Sequence, residues 1–153
     1  MTILCGAMNI VGAVAGMQTM KKWGRKGNLL YGSIGQFSGF LILSFGILVN
    51  SAFFCAVGVM LYMVSFSVGT GPVVPLYCSE IIPAVGMGMA IGTQWFMATI
   101  VGKMCPILLI SVGTQGLLWI FIVFCFLTVG YIYKFCHETQ GCSSEEIENK
   151  FKY

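Results

Sequence analysis

Apolar runs long enough to cross a hydrocarbon layer dominate this chain, and their length decides what it can fold into. A helix needs about 20 residues to span roughly 30 Å of hydrocarbon. Runs of that kind fall at 2–20, 29–49, 52–77, 86–110 and 113–135. Only 8% of the residues are charged, where a soluble globule carries about 25%, and the mean hydropathy is +0.90. Lipid offers the backbone no hydrogen-bond partner, so a spanning segment must be a helix or part of a closed barrel. The alternation of a barrel strand is missing. The expected fold class is an all-α membrane protein with five transmembrane helices.

Charge orients these spans. Lys21, Lys22, Arg25 and Lys26 follow the first run and Lys134, Lys150 and Lys152 follow the last, while the connections at Asn50-Ser51 and Val112-Gly113-Thr114 carry none. Basic loops stay on the cytoplasmic side. Residues 1–135 are therefore expected to form a transmembrane bundle and 136–153 a cytoplasmic tail, with Met1 on the opposite face. The first run has no positive charges before it, so it lacks the leading region of a signal peptide despite Ala13-Val14-Ala15. The expectation is the C-terminal end of a longer membrane protein, in a plasma or an organelle membrane.

Glu80 is the one acidic residue in the first 137 positions. A carboxylate beside hydrocarbon costs several kcal/mol unless it is paired, which makes Glu80 a candidate functional residue in need of a partner. The seven cysteines are scattered without close pairing, and most lie in apolar runs, where they read as small hydrophobes. Cys136, at the membrane exit, is a position where acylation is conceivable. His137 is the lone histidine, so a metal site is not expected, and with no aspartate and no nucleophile beside a base the chain is not expected to be an enzyme.

Small and polar residues organise the runs. Gly12 and Gly16 have the spacing that lets two helix backbones approach closely. Asn9, buried among apolar residues, reads equally as an interhelical hydrogen bond or as a pore-lining group. Lys21 to Asn28 reads as a tight basic turn. Gly69, Gly71, Pro72 and Pro75 break the third run, so Gly71 to Pro75 is either a cavity wall or a packing kink. Gln94 and Trp95 stand about 12 Å into the fourth run at 1.5 Å per residue, deep enough for a central cavity, although Trp also favours interfaces. Lys103 lies nine residues from Gln94, on the opposite helix face, which favours snorkelling or a helix contact over solute binding.

Three motifs, in order, resemble one family. Trp23-Gly24-Arg25-Lys26 resembles the Gly-Arg-Arg/Lys loop between helices eight and nine of the sugar porters of the major facilitator superfamily. Gly71-Pro72 through Glu80-Ile81-Ile82-Pro83 resembles their helix-ten Gly-Pro and Glu-Ile-Phe-Pro stretch. His137-Glu138-Thr139-Gln140-Gly141 with Ser144-Glu145-Glu146-Ile147 is similar to the Pro-Glu-Thr-Lys-Gly and Leu-Glu-Glu-Ile signature after helix twelve. The resemblance covers essentially the whole chain and implies that its spans match helices eight to twelve of a twelve-helix carrier.

That resemblance implies transport of a hexose or pentose-like sugar by alternating access, with this chain as the C-terminal part of the carrier. The alternatives are a truncated, non-transporting membrane protein and a carrier for another small solute. Asn9, Gly71, Gln94 and Trp95 match family sugar-binding positions. Arg25 and Glu80 match the cytoplasmic gate, with Glu138 as a third member, and a bidentate Arg25–Glu80 pair would suit a two-state latch. The partners implied are a small-molecule sugar, the lipid bilayer and the N-terminal half of the carrier, with no nucleic acid and no cofactor. Pro75 stands where the family has a tryptophan, Met87 or a gap where it has an arginine, and His137 where it has a proline.

Overall fold

The computed structural model describes residues 2–141, which are helix, turn or coil with no strand among them. Four helices follow in order: α1 Thr2–Leu48, α2 Ala52–Val68, α3 Thr70–Ile81 and α4 Ala84–Phe135. Three stretches are long and apolar enough to cross a membrane: Asn9–Leu48, Ala52–Ile81 and Val85–Phe135. Ser144-Glu145-Glu146-Ile147, Cys142, Lys150 and Lys152 lie outside the described residues.

The two longest helices are each broken once, at a glycine. Gly24 has φ 74° and ψ −178° inside α1, and Gly113 has φ 74° and ψ 173° inside α4. Side chains with a Cβ almost never occupy that conformation. The tight basic turn expected over Lys21 to Asn28 is confined to one residue: the stretch is helical on both sides of Gly24. A third break falls at Gly69 (φ −105°, ψ −93°), between α2 and α3. Pro72 and Pro75 lie within α3 rather than at the break. Pro72 lies in the first turn of α3, where its ring is accommodated although it brings no backbone N–H.

The second segment of α1 runs antiparallel to α2 at backbone contact. A Cβ on Gly46 would lie 2.7 Å from the Cys55 nitrogen, one on Gly39 2.9 Å from the Tyr62 nitrogen, and one on Gly32 2.6 Å from the Gly69 Cα. The first segment packs on the far end of α2, with Gly12 against Ser67 and Gly16 against Val68. Gly12 and Gly16 thus make the close approach that their spacing implies. α1 ends in a Schellman turn: Asn50 takes a left-handed φ of 53°, and Asn50 N–H and Ser51 N–H donate to Ile47 O and Gly46 O.

The segment after Gly113 lies along the second segment of α1, from Gln115 at Ser44 to Tyr133 at Lys26. Ser44 Oγ donates to Gln115 Oε1 at 2.9 Å and Gln115 Nε2 donates back to Ser44 O at 3.0 Å. Phe121 stacks on Phe40 with centroids 5.7 Å apart. A buried cluster of Leu29, Val73 and Ile132, flanked by Met20, Leu30, Tyr77 and Cys136, closes the end of the bundle where Gly24 turns.

Candidate functional site

The turn at Gly24, the end of α3 and the stretch after α4 meet over that cluster. Arg25, the chain's single arginine, opens the second segment of α1, and its Nε and Nη2 both reach Glu80 Oε1, at 3.0 and 2.5 Å. Thr139 Oγ donates to Glu80 Oε2 at 2.7 Å. Both carboxylate oxygens are therefore occupied, and the two charged side chains are only 20% and 21% exposed. The pair uses two guanidinium nitrogens and one carboxylate oxygen. Two guanidinium nitrogens converge on one oxygen because a buried threonine holds the other.

Glu138 joins the same turn through backbone N–H groups. Its Oε1 accepts from the Arg25 backbone N–H at 2.8 Å and the Gln140 N–H at 3.0 Å, and its Oε2 accepts from the Lys26 N–H at 3.1 Å. It caps the first turn of the segment that follows Gly24, where free N–H groups and the helix dipole favour a carboxylate. The same contact dictates glycine at 24 a second time, because an added Cβ would run into the Glu138 carboxylate.

The stretch after α4 is tied down at further points. Tyr77 OH donates to His137 O at 3.0 Å and accepts from His137 N–H at 3.1 Å. Lys26 Nζ donates to Tyr133 O at 3.2 Å, where a cation meets the last carbonyls of α4. Burial pushes the Cys136 thiol above its ordinary pKa, and the Tyr77 hydrogen bond and Lys26 charge only offset part of that. Cys55, Cys78, Cys105, Cys125 and Cys136 are free thiols.

The structure brings Arg25, Glu80 and Glu138 together but does not join the four candidate sugar contacts. Asn9, Gln94 and Trp95 are exposed, Trp95 by 69%, and among the described residues none of their side chains makes a hydrogen bond to another side chain. The interhelical hydrogen bond that one reading of Asn9 requires is thus not made within the described residues. Gly71 is half-buried just past the Gly69 break, facing Phe66. Lys103 is exposed as well.

Three contributors escape a reading of the sequence. Thr139 sits inside a motif where Glu138 draws the attention, and Tyr77 reads as one more aromatic in an apolar run. Asn28, fully buried, reads as the end of a solvated basic turn, yet its Nδ2 donates to Gly16 O at 3.2 Å and Val68 O at 3.3 Å.

The comparisons agree with this architecture. The family model described as "Sugar (and other) transporter" matches residues 1–151. The putative metabolite transport protein YncC of Bacillus subtilis is 29% identical over 96% of the chain and 33% of its own length. Plastidic glucose transporter 4 of Arabidopsis thaliana is 33% identical over 95% of the chain and 28% of its own length. The inward-open xylose transporter XylE from E. coli superposes with a TM-score of 0.86 at 26% identity, covering 99% of this chain and 35% of that one. The chain spans about a third of the length of the curated relatives it matches. With the family match running nearly end to end and the fold shared, this chain belongs to the sugar porter family of the major facilitator superfamily.

Proposed function

We propose that this chain is the C-terminal part of a carrier that moves a hexose or pentose-like sugar across a membrane by alternating access. The observation that carries the reading is the Arg25–Glu80 pair with Glu138 capping the same turn, at the positions the resemblance assigns to the gate. Glycine breaks divide the long helices into pieces of membrane length. The 47 residues of α1 would run about 70 Å if straight, more than twice a hydrocarbon core, whereas each piece beside Gly24 runs about 35 Å. Counted this way the chain crosses five times, with residues 136–153 as a cytoplasmic tail.

In this carrier the latch is formed while the cytoplasmic side is closed and must open for release. Partly buried charge pairs suit that role, being strong when formed and costly to separate. Asn9, Gly71, Gln94 and Trp95 face the solute, since neutral amides can both donate to and accept from hydroxyls, and an indole presents an apolar face to a sugar ring. The exposed run from Ile91 to Met104 is where the N-terminal half of the carrier would close the cavity. Uptake of labelled glucose and xylose by proteoliposomes carrying the full-length carrier tests the reading. Gln94→Ala is expected to raise KM at least tenfold, and Arg25→Gln to lower the maximal rate. Unchanged KM removes Gln94 from the site, and uptake only of a chemically different solute sinks the sugar assignment.

A further inference from the structure

Pro72 leaves a gap in the backbone ladder, and Asn28 fills it. A residue at position 72 would normally donate its N–H to Val68 O, four residues back, but proline has none. The next donor along, Val73 N–H, bonds Gly69 O at 3.2 Å. The donor that Val68 O receives is the side-chain amide of Asn28, at 3.3 Å, whose other proton goes to Gly16 O at 3.2 Å. One fully buried side chain therefore joins three helical segments: the first piece of α1 through Gly16, the second piece through itself, and the end of α2 through Val68. The backbones press together at the same level, with a Cβ on Gly16 placed 2.9 Å from Val68 O and one on Gly69 2.8 Å from Asn28 O.

We infer that Asn28 is the positioning residue for the break at Gly69, standing in for the N–H that Pro72 lacks and so fixing the direction in which α3 leaves α2. α3 carries Gly71 near its start and Glu80 near its end, so the angle of this break sets where both stand. An apolar residue of the same size would pack but could not satisfy Val68 O, and an unpaired carbonyl in an apolar interior is costly. The inference concerns the backbone at the break and holds whether or not the carrier moves sugar.

A double-variant cycle tests it, using hydrogen–deuterium exchange of this chain in lipid nanodiscs. Asn28→Leu removes the donor, and Pro72→Ala returns an N–H to the ladder. Asn28→Leu is expected to speed exchange of the Gly69 and Val73 amides about tenfold, the scale of one lost buried hydrogen bond. Adding Pro72→Ala is expected to bring exchange back to within about threefold of the parent. A mere packing role for Asn28 predicts no such rescue. If Asn28→Leu alone does not fold, recovery of folded protein in the double variant supports the inference and continued failure overturns it. Unchanged exchange in Asn28→Leu overturns it outright.

Discussion

Glycine serves opposite ends of this molecule in opposite ways. Along α1 and α2, Gly32, Gly39, Gly46 and Gly58 bring two backbones so close that an added Cβ would fall within 3 Å of main-chain atoms. Along the first piece of α4, Gly88, Gly92 and Gly102 have nothing within 4 Å. Both regions are apolar enough to cross a membrane, so hydrophobicity alone does not explain the difference. Lipid tails are as apolar as leucine, and helices in a membrane associate through close packing and polar contacts rather than through a solvent-driven squeeze. The α1–α2 contact has that packing already, and the first piece of α4 carries small residues whose partner is not among the described residues.

The largest expected effect is a direct contrast between the two regions. Gly58→Ala places a methyl 2.7 Å from the Leu43 nitrogen and should destabilise the chain by about 1–3 kcal/mol in detergent unfolding, as overpacking does. Gly92→Ala, which meets nothing, should stabilise it by up to about 1 kcal/mol through helix propensity. In the full-length carrier that gain should vanish or reverse, since the other half would pack on this face. Equal effects at both glycines would dissolve the distinction.

Next comes the charge pair, which sharpens the contrast between bonded and unbonded polar residues. Arg25→Ala and Glu80→Ala should each weaken the chain, and the double variant should be less damaging than their sum, with a coupling of about 1–3 kcal/mol. Additive losses would mean that the pair seen at 3.0 Å contributes little. Thr139→Val, which frees Glu80 Oε2, should cost about 1.5 kcal/mol, the worth of one hydrogen bond to a charged group at the low end. The smallest effect is chemical. Because the Cys136 thiol is held above its ordinary range, less of it is thiolate at neutral pH. Site-resolved alkylation should therefore be slower there than in the unfolded chain, and should keep accelerating at pH values where an ordinary thiol has levelled off. Alkylation as fast as in the unfolded chain would show the thiol to be unshielded.

The site was legible in sequence as far as composition could isolate it. One acid among 137 residues needs a partner, and the basic run around Arg25 was the nearest supply; the structure joins them. Which donor takes which carboxylate oxygen depends on where Thr139 arrives from the other end of the chain, and no local pattern encodes that. The break in the third run was legible as a region, since four breakers lie between Gly69 and Pro75, but not as a residue. Gly69 takes the break because it also meets the Gly32 Cα of a neighbouring helix, whereas Pro72 and Pro75 lie inside α3. The basic turn was legible as a segment, but not as the single residue Gly24, for a related reason. Charge marks the membrane surface, yet a reversal between two helices needs only one residue with an unusual φ. Asn28 was hidden because a polar residue beside four charges reads as solvated, and its acceptors lie 12 and 40 positions away.

The cap that Glu138 places on Arg25 also carries a schedule. The two residues stand 113 positions apart, whereas Arg25 and Glu80 stand 55 apart. At a synthesis rate of about 5–20 residues per second, Arg25 waits on the order of ten seconds between leaving the ribosome and meeting Glu138. The charge pair can close in the first half of that interval, and the turn at Gly24 is capped only when the tail arrives. A ribosome that stopped after Phe135 would release every helix described here and leave the turn at Gly24 without its lock.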